Sequence, residues 1–279
     1  MHMITHTTGL KRNTIDKYYT SPNAVLLCMR IIQDTVSIDK DDLVIEPSAG
    51  NGAFIESIKS VTSNYEFLDL EPESDKIRAQ DYLSYTLRDD IHYNSVHVIG
   101  NPPFGRQSSM AIKFIKKSCE FCSTLSFILP KSFKKDSLQK TFPLCFHLVH
   151  ESDLPEKSFL VNGEEHDVPC VFQIWMKKEY NRQVVEKQEP NYYIFVGIND
   201  EPDIAFRRVG VNAGTIHTTN IQDKSIQSHY FIKFTNNKSV EENVETLSCI
   251  TYDFNNTVGP RSISKQELIS KFNPLLEIC

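Results

Sequence analysis

A short proline-containing motif supplies the groups that most clearly suggest chemistry. Asn101-Pro102-Pro103-Phe104 follows the apolar run 96–99. Two successive prolines fit neither a helix interior nor a central strand, so the motif predicts a rigid loop at a sheet edge. The side-chain carbonyl of Asn101 and the backbone carbonyl of Pro102 are hydrogen-bond acceptors, and Phe104 offers an aromatic face. Together these groups would hold a planar amine.

An exocyclic amine is a poor nucleophile because its lone pair is delocalised into the ring. Two acceptors that bind its hydrogens favour the tetrahedral geometry needed for attack, provided that they are positioned beforehand. This chemistry requires no Ser, Cys or His nucleophile.

A second motif, Glu46-Pro47-Ser48-Ala49-Gly50-Asn51-Gly52, joins a predicted strand to a predicted helix. Its glycines would let a nucleotide-like ligand lie against the backbone. A dinucleotide motif would continue with Gly or Ala at position 55, which is Ile55, and no Gly-Lys-Ser/Thr loop occurs in the sequence, so NAD and ATP are disfavoured. Glu46 would repel a pyrophosphate and attract an ammonium or a sulfonium. S-adenosylmethionine (SAM) carries both cations.

Two further acids follow at positions that suit the same ligand. Asp69 lies near the end of the next predicted strand, the usual place for a carboxylate that accepts from ribose hydroxyls. Asp81 could accept from the amino group of the cofactor's adenine while Tyr82 packs on the ring.

The elements that must position these motifs alternate between short apolar strands and helices. This βαβ rhythm predicts an α/β fold, with a mostly parallel Rossmann-like sheet and an antiparallel last strand. Ser21-Pro22 begins an amphipathic helix, and Ser108 is the predicted cap of a later one. The predicted strands are 43–46, 65–70, 96–100, 125–129, 144–150 and 168–176, of which the last two could pair antiparallel.

The polar stretch 177–190 predicts a domain boundary. Residues 1–180 would form the larger domain and residues 181–279 a smaller α+β domain for target recognition. In the second domain, Arg207 and Arg208 lie beside a Gly turn, an arrangement that suits contacts to a nucleic-acid target.

The charge distribution is uneven. The chain carries a net charge of -6, which argues against binding nucleic acid by overall charge. Residues 101–140 nevertheless contain eight Lys/Arg against two Asp/Glu, and these bases, Arg106 and Lys131 among them, could neutralise phosphates or form a solvated helix face.

The remaining composition predicts an intracellular protein, cytoplasmic or nuclear. No apolar stretch reaches the length of a membrane span, and the first dozen residues lack the apolar region of a secretory signal. The seven Cys are scattered and are predicted to be reduced. Cys119 and Cys122 have no second pair at zinc-site spacing, so no metal site is predicted.

These motifs resemble those of class I SAM-dependent methyltransferases of the amino-directed kind, the adenine methyltransferases with an Asn/Asp-Pro-Pro-Tyr/Phe signature. The resemblance covers residues 15–178. It implies that Asn101-Pro102-Pro103-Phe104 binds the target amine and that Phe159 stacks on the target base. It implies that SAM is bound by the following residues: Tyr19, Thr20, Glu46, Ser48, Gly50, Gly52, Asp69, Asp81, Tyr82 and Asn101.

The expected activity is methyl transfer to the exocyclic amino group of adenine in DNA or RNA, with the nucleic acid as partner. Two alternatives remain open. One is a glutamine-directed protein N-methyltransferase, because an amide nitrogen poses the same chemical problem. The other is a catalytically silent SAM-binding adaptor for nucleic acid.

Overall fold

The computed structural model describes residues 18–88, 93–184, 186–252 and 261–277. No helix within these ranges is both long and apolar enough to cross a membrane. The helices and strands, in chain order, are β1 (Tyr19–Thr20), α1 (Pro22–Thr35), β2 (Leu43–Glu46), α2 (Ile55–Val61), β3 (Asn64–Asp69), β4 (Arg78–Ala79), β5 (Val96–Gly100), α3 (Ser109–Ser118), β6 (Thr124–Pro130), α4 (Asp136–Gln139), β7 (Phe146–Asp153), β8 (Phe159–Val161), β9 (Glu164–His166), β10 (Cys170–Lys177), β11 (Tyr193–Val196), β12 (Ile204–Arg207), β13 (Ile216–His217), β14 (His229–Phe234), α5 (Val240–Ser248) and α6 (Lys265–Glu277).

The chain divides into two compact units. The first comprises the chain up to Pro130 together with Thr141–Tyr180, and the second comprises Lys131–Lys140 together with the chain from Asn181 onward. The second unit therefore includes a ten-residue segment that the sequence assigned to the larger domain.

A seven-stranded sheet with strand order β4-β3-β2-β5-β6-β10-β7 forms the centre of the first unit. Strands β4, β3, β2, β5 and β6 run parallel, whereas β10 is antiparallel to both of its neighbours, β6 and β7. This confirms the predicted α/β fold class, including the antiparallel last strand and its pairing with β7.

The order of the strands creates a crevice beside β2. Strands β3 and β4 add on one side of β2, whereas β5 and β6 add on the other. Connections that leave adjacent parallel strands in opposite directions open a crevice at the carboxyl ends of those strands, where open α/β sheets bind ligands. Residues Glu46–Gly52, hereafter the glycine turn, begin at the last residue of β2, and residues Asn101–Phe104, hereafter the Asn-Pro-Pro loop, follow β5.

Helix α1 matches its predicted amphipathic pattern. The Ser21 hydroxyl accepts a hydrogen bond from the backbone N–H of Ala24 at 3.4 Å, which caps the helix start. Its apolar stripe, which includes Val25, Met29 and Ile32, is buried in the core of the first unit.

Helix α3 begins differently from its prediction. Ser108 has a left-handed φ of 62° and its side chain makes no capping hydrogen bond. The backbone carbonyl of Phe104 instead accepts from the N–H groups of Met110 and Ala111, at 3.1 and 3.3 Å. The Asn-Pro-Pro loop itself therefore supplies the acceptor for N–H groups in the first turn of the helix, and this contact fixes the end of the loop.

The second unit is an α+β domain, as predicted. Its four-stranded sheet has the order β11-β14-β12-β13 and is antiparallel throughout. Ile204, Phe206 and Ile232 of the sheet pack in one core with Leu247 of α5 and Phe272 of α6.

Candidate active site

The glycine turn and the Asn-Pro-Pro loop meet at the carboxyl ends of β2 and β5. A Cβ added to Gly100 would lie 3.4 Å from the Cγ of Glu46 and 3.5 Å from the Cδ of Pro47, so the end of β5 lies against the side chains that begin the glycine turn. The Ser48 hydroxyl donates a hydrogen bond to the backbone carbonyl of Asn101 at 3.0 Å. The two motifs therefore form one site.

The side-chain amide of Asn101 is oriented by the segment that precedes α1. Its Nδ2 donates to the backbone carbonyl of Tyr18 at 3.3 Å. Its Oδ1 is buried and accepts no hydrogen bond from the described part of the chain. A buried acceptor without a donor costs about 1–3 kcal/mol, which a bound N–H group would relieve. The group that Asn101 leaves for a ligand is thus an acceptor.

The rest of the loop is held from both sides. Pro102 is buried, whereas Pro103 is exposed. The half-buried Phe104 packs against the core of the first unit while its carbonyl caps α3. These contacts fix the loop before any ligand binds.

Asp69 at the end of β3 holds the glycine turn. Its Oδ2 accepts from the backbone N–H of Gly50 at 2.7 Å, and its Oδ1 accepts from that of Glu71 at 2.9 Å. Gly50 has a φ of +54°, a conformation that glycine adopts readily. A carboxylate has about four acceptor sites, so Asp69 retains capacity for the hydroxyls of a ligand.

The residues before α1 lie across the glycine turn. Strand β1 pairs with β8, with Tyr19 opposite Leu160. A Cβ added to Gly50 would lie 3.2 Å from Cε1 of Tyr19, and the Tyr19 hydroxyl donates a hydrogen bond to the carboxylate of Glu73. Thr20 is buried. The structure therefore brings Tyr19, which the family resemblance assigned to the cofactor, against the turn.

Glu46 is a buried carboxyl group without a charge partner among the described residues. It is 2% exposed, and its Oε2 has no hydrogen-bond partner there. Burial raises the pKa of Glu46 well above its ordinary value, and the negative charge of Asp69 raises it further. A cation bound beside Glu46 would reverse both effects, so the site suits an ammonium or a sulfonium.

This raised pKa predicts a specific pH dependence of stability. Because the folded-state pKa exceeds the unfolded value, stability is fully present below about 4.5 and declines as the pH rises toward the folded pKa. In that window Glu46 lowers the free energy of unfolding by about 1.4 kcal/mol per pH unit. Urea unfolding of Glu46→Gln at several pH values should lack this component. Glu164→Gln, at an exposed position on β9, is the matched control, and equal slopes for Glu46→Gln and the wild type would contradict the prediction.

Tyr82 differs from its predicted arrangement, whereas Asp81 remains exposed. Tyr82 is 1% exposed, its hydroxyl hydrogen-bonds the Ser118 hydroxyl at 2.7 Å, and its ring packs on Phe114 with centroids 5.2 Å apart. Its ring therefore lies in the core, because burial of a large aromatic group is favourable, and offers no face to a ligand. Asp81 is exposed and caps the following turn by accepting from the N–H of Leu83 at 2.9 Å.

Phe159 also lies in the core. It is 0% exposed and belongs to the apolar cluster of the first unit, so the predicted stacking on a target base has no accessible ring face. Tyr18, which sequence reasoning did not select, packs edge-on against Phe159 with centroids 6.4 Å apart and is 44% exposed. Its carbonyl also orients Asn101. The only sequence signal for Tyr18 was its position beside Tyr19.

The predicted basic residues belong to different parts of the fold. Arg106 is exposed in the turn between the Asn-Pro-Pro loop and α3. Lys131 belongs to the second unit, together with Arg207 and Arg208. Arg207 donates to the carbonyl of Val209 at 3.2 Å, and both arginines are half-buried.

Comparison with known proteins gives structural similarities alone. No family model and no curated protein matches the sequence. A Pyrococcus horikoshii protein provisionally assigned as an RNA methyltransferase aligns at 16% identity and a TM-score of 0.46, over 61% of this chain and 93% of its own. The modification subunit of a provisionally assigned type I restriction enzyme from Vibrio vulnificus YJ016 aligns at 11% identity and a TM-score of 0.47, over 60% of this chain and 46% of its own. The N-methyltransferase NodS from Bradyrhizobium japonicum WM9 aligns at 12% identity and a TM-score of 0.40, over 61% of this chain and 100% of its own. At such identities and TM-scores, no function is transferred from these proteins to this chain.

Proposed function

We propose that this protein is a SAM-dependent methyltransferase that acts on the exocyclic amino group of adenine in DNA or RNA. The observation that carries the proposal is the buried Oδ1 of Asn101 at the crevice beside β2, which has no partner among the residues that the structure describes. Its amide is held by Tyr18 and its backbone carbonyl by Ser48. A rigid acceptor that lacks a donor matches an N–H group that a substrate would supply.

The residues around the glycine turn fit SAM. Glu46 would face the positive end of the cofactor, since its buried carboxyl lacks a counter-charge among the described residues. Asp69 would accept from the ribose hydroxyls, and Asp81 from the adenine amino group. Gly50 lets the ligand approach the backbone, and Tyr19 covers that turn. When bound, SAM supplies an electrophilic methyl group on a positively charged sulfur.

The Asn-Pro-Pro loop would prepare the amine for attack. Oδ1 of Asn101 accepts one N–H of the amine and the carbonyl of Pro102 accepts the other, which shifts the nitrogen toward tetrahedral geometry. Phe104 packs on the ring, whose transient positive charge the two carbonyl oxygens stabilise. The proton then leaves to water. A base in a duplex must first be extruded, whereas a base in a single strand is directly accessible.

The proposal is tested by supplying methyl-labelled SAM with adenine-containing single-stranded DNA, the same sequence as RNA, and a glutamine-containing protein substrate. We expect label in one of the nucleic acids and N6-methyladenine in its nucleoside digest by mass spectrometry. The matched control is the same oligonucleotide with every adenine replaced by purine, which lacks the amino group and should receive no label.

Two results would overturn the proposal in favour of its alternatives. Label in the protein substrate alone would identify a glutamine-directed methyltransferase. SAM binding in calorimetry without transfer to any adenine-containing substrate would identify a silent adaptor.

A further inference from the structure

A five-residue segment, Arg261–Lys265, joins separate parts of the second unit. The carbonyl of Arg261 accepts from the backbone N–H of Gly210 at 2.9 Å, and the N–H of Ile263 donates to the carbonyl of Arg208 at 2.8 Å. The stretch that contains Arg207 and Arg208 and the segment that contains Arg261 are thus adjacent in space, although about fifty residues separate them in the chain.

The same segment receives a cation from a third part of the chain. Nζ of Lys135 donates to the backbone carbonyl and to the hydroxyl of Ser262, at 3.3 and 3.1 Å. This contact lies within the second unit, which includes Lys131–Lys140.

Aromatic rings hold two of the cationic groups beside this segment. Nζ of Lys265 lies 4.5 Å from the ring centroid of Phe195 and 6.0 Å from that of Tyr230. Cζ of Arg208 lies 5.3 Å from the ring of Tyr230, whose hydroxyl donates to the carbonyl of Ile263 at 3.3 Å. Cation–π contacts of this kind restrict long side chains, so less entropy is lost when a ligand binds them.

These residues define what we call the 261–265 surface. It consists of Arg208, Arg261, Lys135, Lys265, Tyr230 and Phe195. The segment also includes one contact to an acid, since the N–H of Ser264 donates to the carboxylate of Glu267 at 3.4 Å. Four cationic side chains thus lie along this segment, in a chain whose net charge is -6. The local charge complements a polyanion.

We propose that the 261–265 surface binds the phosphodiester backbone of a single-stranded nucleic acid. This inference rests on the proposed function, because it assigns to the second unit the binding of the strand that contains the substrate base. Arginine and lysine neutralise phosphates without reading sequence, so this surface supplies affinity and leaves the choice of base to other groups.

The test measures binding without SAM, so it does not depend on methyl transfer. Fluorescence anisotropy follows a labelled 20-nucleotide strand, as DNA and as RNA, at several salt concentrations. In the double variant Arg208→Gln/Arg261→Gln we expect affinity to fall by roughly tenfold and the slope of log K against log salt to decrease by about 1.4, two contacts at about 0.7 each. Glutamine retains a donor for the carbonyls that these arginines contact, those of Gln227 and Val211.

A matched control removes the same charge elsewhere in the second unit. Lys238→Gln/Lys271→Gln should leave affinity and salt slope unchanged, and the thermal melts of both double variants should match the wild type. Adding Lys135→Gln and Lys265→Gln to the arginine variant should weaken binding further.

The outcomes separate the two proposals. If the quadruple variant, which lacks all four cationic side chains, binds the strand with wild-type affinity, the proposed binding surface is wrong, even if oligonucleotides are still methylated. Equally tight binding of polyglutamate would also overturn it, because the site would then recognise charge alone. If the variants lose strand binding but the wild type methylates no substrate, the result would support the proposed binding surface and contradict the proposed methyltransferase activity.

Discussion

Replacement of Asn101 by alanine is expected to lower the rate of methyl transfer by about 10²–10³-fold, the usual loss when one preorganised polar contact to the reacting group is removed. Oδ1 of Asn101 is buried and lacks a donor in the described structure, so it is available to the substrate amine. SAM affinity should change little, because Glu46 and Asp69 remain. Single-turnover rates and calorimetric SAM binding measure the two effects separately.

The stability of the Asn101→Ala variant provides an independent check. Alanine removes the desolvation cost of the unpaired acceptor but also the hydrogen bond from Nδ2 to the Tyr18 carbonyl, and because these effects oppose each other the melting temperature should stay close to that of the wild type. Ser48→Ala is the matched control, because it removes the hydrogen bond to the backbone of Asn101 and leaves Oδ1 in place. Its rate should fall by about tenfold or less. Transfer by Asn101→Ala at the wild-type rate would refute the mechanism.

The parts of the fold that could be predicted follow local rules. Pro102 and Pro103 exclude regular structure, and the glycines at positions 50 and 52 have φ values of +54° and +84°, which mark a tight turn. The strands β2 and β5 are short apolar runs that end at these motifs. Chain order and the βαβ rhythm then bring both motifs to one edge of the sheet.

The contacts that orient the site could not be predicted because they join distant residues. The carbonyl of Tyr18 meets Asn101 across 83 positions, and no pattern in either segment specifies the other. The same limit applies to Tyr82 and Phe159. An aromatic residue next to a motif suits both a core and a stacking surface, and only tertiary contacts decide between them: the pairing of β8 with β1 for Phe159 and the packing against α3 for Tyr82.

The second unit shows what sequence reasoning missed. Helix α5 was not predicted, although Ser239 and Glu242 form a capping box at its start, a pattern visible in the sequence. The assignment of Lys131–Lys140 to this unit had no such signal, since it depends on contacts such as that between Lys135 and Ser262.

Two buried groups at the candidate site lack partners within the described structure, and each suits a different kind of ligand. The carboxyl of Glu46 would gain from a cation, and Oδ1 of Asn101 would gain from a neutral N–H donor. The glycine turn joins these two groups through the contact between Ser48 and Asn101. Binding of the cofactor and binding of the acceptor amine should therefore be separable by mutation.

The reverse pattern is expected for Asp69→Ala, which should raise the Kd for SAM by about 10²-fold or more. Asp69 holds the N–H groups of Gly50 and Glu71, and a hydrogen bond to a charged group contributes about 1.5–3 kcal/mol. Without it the glycine turn loses its fixed shape, and the ribose loses an acceptor.

Asp75→Ala, at an exposed position in the following loop, is the matched control and should bind SAM like the wild type. Because Asp69 also raises the folded-state pKa of Glu46, its removal should lower that pKa, so the fall in stability with rising pH should still begin at about 4.5 but end at a lower pH. A Kd for SAM within threefold of the wild type, roughly 0.7 kcal/mol, would show that Asp69 does not shape the cofactor site.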